Sequence, residues 1–242
     1  ASALRKFLKL TPGTYRKMLA GLSTTVEQLM CANDFDKINY SHVPSKAMSD
    51  YMRAFGKRDG ERFTSFIESV KKGDVKINAG AVYPYDIVKN MKQGNAKGAN
   101  VQWDALPNFI GDANVLPMVD SSGSMTCNAG GHTSKSGLTC LDVAISLGLY
   151  FADKNTGKFK DTFLTFSRTP KLVTLKGNIN QKIDQMNTGE VANTDLNRAF
   201  DLILKTAVDN SVPQAEMPGT LVIFSDMQFD QGVHHDDSAI EM

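Results

Sequence analysis

The stretch that most constrains this chain is a short apolar run that ends on a carboxylate. Val115-Leu116-Pro117-Met118-Val119 leads into Asp120, and Ser122, Gly123 and Ser124 follow. The pattern predicts a β-strand over 114–119 that delivers one carboxylate and two alternate hydroxyls into a tight turn. Three such oxygens on one turn can face a single ion, and hard oxygen donors suit Mg²⁺ or Mn²⁺. In open α/β sheets, ligands gather beyond the carboxyl ends of the strands. Gly123 lets the chain bend sharply at that point. Pro117 fits a central strand poorly, since proline donates no ladder hydrogen bond.

The chain beyond this turn alternates helix and strand. Leu141 to Asp153 is apolar nearly all round, which predicts a buried helix. Phe163–Phe166 and Leu172–Leu175 read as a strand pair joined through Pro170. Ile179 to Met186 is a short helix. Leu196 to Val208 is a longer one, with Phe200, Ile203, Leu204 and Ala207 expected to face inward. Leu221–Phe224 is a short apolar strand, as expected for a parallel sheet covered on both faces. The alternation predicts an α/β fold with right-handed crossovers.

Two further residues extend the Asp120 pattern. Thr194 lies in Ala192-Asn193-Thr194-Asp195-Leu196, and Asp226 closes Leu221-Val222-Ile223-Phe224-Ser225-Asp226. Asp-x-Ser-x-Ser, then threonine, then aspartate, in that order, resembles the von Willebrand factor A domain with its metal-ion-dependent adhesion site. The resemblance implies a Rossmann-like fold with Mg²⁺ (or Mn²⁺) at the top of the sheet. It assigns Asp120, Ser122 and Ser124 to the ion, Thr194 directly or through water, and Asp226 directly or from just behind. So few anionic ligands leave the ion electrophilic, so an acidic side chain from a protein partner is expected to complete it. The bland alternatives are a turn residue or helix cap for Asp120 and helix N-caps for Ser122, Ser124 and Thr194. For Asp226 the alternative is a post-strand turn. Asp195 and Asp230 read as solvated or capping residues. His234 and His235, beside Asp236 and Asp237, read as a solvated end. The A domain of that family continues past Asp226 with at least two more strands and helices, so an exposed sheet edge is expected here.

The first 91 residues predict helix after helix. Tyr15, Met18, Leu19 and Leu22 recur at helical spacing, and Thr24 with Glu27 has capping-box spacing. Pro44 opens a helix with Met48, Tyr51, Met52 and Phe55 on one face. Residues 59–71 give another, with Phe63, Phe66, Ile67 and Val70, and Gly73 is its expected stop. Asp86 to Met91 follows Pro84 as a short helix. Residues 92–113, rich in Gly, Asn, Lys and Asp, read as a linker that Trp103 anchors to one of its neighbours. The domains expected are therefore a helical region 1–91, a linker 92–113 and an α/β domain 114–242. Several blocks resemble an uncharacterised family of plant, viral and phage proteins: Tyr15-Arg16-Lys17, Val43-Pro44-Ser45, Phe55–Asp59, Gly73–Ile77, Asn193–Asp195, Phe200–Leu204 and Phe224–Asp230. Those proteins join a helical region to a von Willebrand A domain, in a layout similar to the TROVE module of Ro ribonucleoproteins. By that likeness alone, RNA binding is the expectation for the helical region.

Charge agrees with that division. Residues 1–100 carry 17 Lys/Arg against 9 Asp/Glu, and residues 101–242 carry 10 against 17. A basic segment beside an acidic one fits either a nucleic-acid surface or a complementary contact between the two halves. Arg5, Lys6, Lys9, Arg16 and Lys17 are the candidate phosphate-contacting residues, with a solvated helix face as the plainer reading.

Three cysteines make no disulfide framework and fit a reducing, cytoplasmic setting, or an intracellular one in a host if the protein is viral. Cys127 and Cys140 bracket a Gly/Ser-rich loop containing His132. A soft-metal or redox pair is one reading, and incidental thiols in a loose loop is the expectation. No apolar run is long enough to span a bilayer, and the start of the chain has no apolar core of a secretion signal. No nucleophile elbow or Walker phosphate loop occurs. A binding protein rather than an enzyme is expected. The alternatives are an assembly component of a phage or viral particle and a metal-dependent phosphohydrolase, the latter wanting more ligands than this motif supplies.

Overall fold

The computed structural model describes residues 2–22, 24–130, 137–156, 158–166, 169–187 and 196–225. The chain divides into two compact units, Ala1–Val82 and Tyr83–Met242.

The first unit is helical: α1 (Ser2–Phe7), α2 (Pro12–Leu22), α3 (Val26–Cys31), α4 (Ser45–Arg58) and α5 (Gly60–Lys72). The capping box at the start of α3 sits one residue later than the sequence suggests. Thr25 accepts from the Gln28 N–H at 3.3 Å, and the Gln28 side chain accepts from the Thr25 N–H at 2.9 Å. Met48, Met52 and Phe55 from α4, with Phe63 and Ile67 from α5, are buried as their spacing requires. Tyr40 packs edge-on against Phe55 and Phe63. Arg62 pins the segment before α4 by donating to the carbonyls of Phe35 and Ile38. Gly73 ends α5 at φ 84°, a left-handed conformation that glycine adopts without strain.

The second unit is α/β. It begins with α6 (Pro84–Lys92) and α7 (Ala96–Asp104), then β1 (Val115–Asp120), α8 (Cys140–Lys154), β2 (Thr162–Phe166), β3 (Leu172–Thr174), α9 (Ile179–Met186), α10 (Leu196–Asp209) and β4 (Thr220–Phe224). The stretch read as a linker therefore contains a helix, with Val101, Gln102 and Trp103 buried. Its cause is a core contact. Trp103 is 0% exposed, meets Tyr150 of α8 edge-on, and donates its indole N–H to Asp153 at 3.0 Å. Lys92 adds an ion pair to Asp142 of α8 at 2.8 Å.

The strand order is β3-β2-β1-β4, with β1 parallel to both β2 and β4 and β3 antiparallel to β2. β1 is buried along its whole length. Pro117 is tolerated there, and pairing with β2 starts one residue after it, at Met118. α8 lies so close on β1 that a Cβ at Gly148 would fall 2.4 Å from the Val119 side chain. Two expectations are corrected. β4 is only half covered, with Thr220 and Ile223 exposed, because it is the outermost strand among the described residues. The inward face of α10 is Ala199, Leu202 and Ile203, packed with Met118, Leu164 and Phe166. Phe200 and Leu204, expected inside, are 44% and 59% exposed. Among the described residues no helix is long and apolar enough to cross a membrane.

Candidate metal centre

Asp120 is the last residue of β1 and is 1% exposed. It lies at the carboxyl end of the central strand, level with Phe166 at the end of β2. The chain then turns, and the turn is organised by the carboxylate itself. The Ser122 N–H donates to Asp120 Oδ1 at 2.8 Å, an Asx-type turn. Residues 123–126 follow as one short helical turn, which places Ser124 Oγ 3.0 Å from Ser122 Oγ. The other carboxylate oxygen, Oδ2, accepts from Ser225 Oγ at 2.6 Å. Ser225 directly follows β4, the parallel neighbour of β1.

The Ser122 backbone thus meets the Asp120 carboxylate, and the Ser122 and Ser124 hydroxyls meet each other. Thr194 and Asp226 lie outside the described residues, as do Asp195, Asp230, His132, His234 and His235. Ser225, which donates to Asp120, is a candidate site residue that sequence reasoning missed. Its signal was its position, at the carboxyl end of the strand beside β1. Among the described residues no three His, Cys, Asp or Glu side chains cluster, so the oxygen set of this turn is one carboxylate with hydroxyls. Asp120 has no ion pair with a Lys or Arg among the described residues.

α8 packs behind the turn. α8 starts with a capping box in which the Asp142 carboxylate accepts from the Thr139 N–H and hydroxyl at 3.2 and 2.8 Å. Burial works against the charged form of Asp142. Hydrogen bonds from Lys92 and Thr139 outweigh it and hold the carboxyl below its ordinary value. A cavity of about 290 Å³, lined mainly by apolar side chains including Met125, Val143, Leu147 and Phe224, opens beside Ser225.

The candidate RNA-contacting residues lie on α1, on the turn after it and on α2. Lys6, Lys9, Arg16 and Lys17 are exposed. Arg5 is half-buried and reaches the Leu10 carbonyl at 3.5 Å.

A four-stranded mixed sheet with helices packed against it defines this unit as α/β. By sequence this chain belongs to the DUF7788 family, a domain of unknown function whose model matches residues 114–240. The model of a second domain of unknown function, DUF2828, matches residues 4–115. An uncharacterised protein of Acanthamoeba polyphaga mimivirus is 30% identical over 255 residues, covering 96% of this chain and 43% of that protein. The chain therefore spans less than half the length of that relative. No solved structure matches it.

Proposed function

We propose that this chain is a divalent-cation-dependent binding protein. In this reading its second unit is a Rossmann-like von Willebrand A domain, whose Asp120 turn holds Mg²⁺ or Mn²⁺ and recognises an acidic side chain on a protein partner. The observation that carries the reading is the state of Asp120. It is a buried carboxylate whose described partners are one amide and one hydroxyl, with no cationic side chain paired to it among the described residues. An ionised carboxylate so placed is costly unless a cation compensates it. The donor set also fits a hard ion, since Asp120, Ser122 and Ser124 offer only oxygen.

The fold supports the same reading. The turn lies outside the carboxyl end of a strand with parallel neighbours on both sides, where α/β sheets bind ligands. Ser225, bonded to Asp120, is the chain neighbour of Asp226. α10 begins two residues after Thr194, and its Ala199 packs with Phe166, the register partner of Asp120. Asp120, Ser122 and Ser124 would hold the ion, with Thr194 and Asp226 completing the set. When bound, the ion supplies an electrophilic position that a partner carboxylate can fill. The Ser122 N–H and the Ser225 hydroxyl hold the Asp120 carboxylate at the end of β1.

Titration with Mn²⁺, read by electron paramagnetic resonance, tests this. One ion per chain is expected, with affinity at least about 100-fold weaker in Asp120→Ala, because the site loses a charged ligand outright. Equal affinity in the two proteins contradicts the assignment.

The helical unit is proposed to bind RNA through Arg5, Lys6, Lys9, Arg16 and Lys17. The exposure of Lys6, Lys9, Arg16 and Lys17, on α1, the turn after it and α2, supports this. Affinity for a labelled single strand is expected to fall linearly on a log–log plot as salt rises. The slope should become shallower, by about 0.7 for each phosphate no longer neutralised, when Lys6, Lys9 and Lys17 become alanine. Salt-independent binding, or none, removes the RNA half of the proposal.

A further inference from the structure

Cys127 and Cys140 close the neck of the loop that follows the Asp120 turn. A single antiparallel bridge lies there. The Cys140 N–H donates to the Cys127 carbonyl at 3.0 Å, the Ala129 N–H donates to the Leu138 carbonyl at 2.8 Å, and Asn128 stands opposite Thr139. Cys127 and Cys140 are directly opposed at a hydrogen-bonding position of this antiparallel pair. Opposed residues at such positions hold their Cα atoms about 5.5 Å apart, inside the span that disulfides use. The two Sγ atoms are 3.3 Å apart. Closing that gap to a bond needs about 1 Å of sulfur motion.

Both backbones also have partners outside the bridge. The Cys127 N–H donates to the Ser124 carbonyl at 3.1 Å. Cys140 is the first residue of α8, directly behind its Thr139 capping box. Cys127 is exposed and Cys140 half-buried, so one sulfur is open to a reagent while the other waits beside it. Two thiols held in contact by anchored backbones are a different object from the incidental loop cysteines that the sequence suggests.

We propose that Cys127 and Cys140 form a reversible dithiol–disulfide site, oxidised by exchange with a small-molecule disulfide of the glutathione type. The Cys127 thiolate attacks one sulfur of the disulfide RSSR. A bond forms from Cys127 to that sulfur, the RS–SR bond breaks, and RS⁻ leaves with the electron pair and takes up a proton. The Cys140 thiolate then attacks the Cys127 sulfur and expels the second RS⁻, which is protonated in turn. In sum two protein thiols are oxidised to one disulfide and RSSR is reduced to two RSH. The product closes the loop between the two cysteines and ties the segment leaving Ser124 to the start of α8.

The test equilibrates the full chain with glutathione disulfide, denatures it, and labels free thiols with a maleimide. Of the three cysteines, only Cys31 is expected to label. Trypsin, cutting at Lys135 between the pair, should release their two peptides joined and lighter by two hydrogens. Dithiothreitol should restore three labels. In Cys31→Ser the same link should form and no thiol should label. In Cys140→Ser the exchange should stop after its first step, leaving one glutathione on Cys127. Three labels after oxidation overturn the proposal. So does glutathione held separately on Cys127 and Cys140 of the unaltered chain, or a link that uses Cys31.

Discussion

Saturating Mg²⁺ is expected to raise the unfolding temperature of this chain, and Asp120→Asn is expected to abolish the rise. A ligand that binds only the folded state stabilises it by about 2.7 kcal/mol at a hundredfold excess over Kd. For a unit of this size that corresponds to about 5–10 °C. The substitution separates the ion from the turn. Asparagine keeps the shape of Asp120, accepting from the Ser122 N–H through its oxygen and donating to Ser225 through its amide. It removes the buried charge, whose described partners are neutral groups. In chelator the variant should therefore be as stable as the unaltered chain or more so, because an uncompensated buried charge is destabilising. With Mg²⁺ the order should reverse. A rise of equal size in both proteins, or none in either, contradicts the role given to Asp120. Differential scanning calorimetry with and without EDTA reads all four states.

Lys182→Ala is expected to cost about 3–5 kcal/mol, the loss typical of removing one partner from a buried ionic cluster. Lys182 is buried and donates to Asp153 at 2.9 Å and to Asp161 at 2.6 Å. Asp153 also accepts from the Trp103 indole at 3.0 Å. One ammonium thus joins α9, α8 and the turn before β2, and through Asp153 it reaches α7. Asp161 is itself constrained, at φ 58°, with its N–H on the Ala152 carbonyl and its own carbonyl on the Leu175 N–H. The variant leaves two carboxylates facing each other without a counter-charge. Urea denaturation at neutral pH measures the loss, and a change under about 1 kcal/mol would show that the cluster is solvated rather than structural. The pH dependence has a definite sign. Burial alone would lower the Lys182 pKa, but the bonds to Asp161 and Asp153 outweigh it and raise it above 10.5. The stabilisation is therefore complete below pH 10.5 and fades only as pH climbs through the raised value. From neutral pH up to that point the deficit of the variant should be constant.

The site's first loop is legible in the sequence because one turn carries it. Asp120, Ser122 and Ser124 are close neighbours in the chain, so their convergence needs only a strand end and a tight bend. Helices α4, α5, α8 and α9 are legible from apolar spacing and stop signals such as Gly73. What escapes a reading of the residues depends on contacts between distant segments. Ser225 matters only because β4 pairs with β1, more than a hundred residues earlier in the chain. Residues 96–104, polar enough to read as a linker, are helical because Trp103 enters the core beside Tyr150 and Asp153. The face of α10 is ambiguous in sequence because Phe200 and Leu204 share a helical stripe as good as Ala199, Leu202 and Ile203. Only the packing against β2 chooses between them. The contact between Cys127 and Cys140 follows from an isolated bridge that composition does not signal.

The most direct measurement is an anomalous difference map from crystals of the full chain grown with Mn²⁺. One peak is expected beyond the end of β1, with oxygens of Asp120, Ser122 and Ser124 in coordination distance, about 2.0–2.2 Å, and with Thr194 and Asp226 gathered around the same ion. A peak elsewhere on the chain, or an ion at the Asp120 turn with Thr194 and Asp226 far from it, would contradict the adhesion-type site.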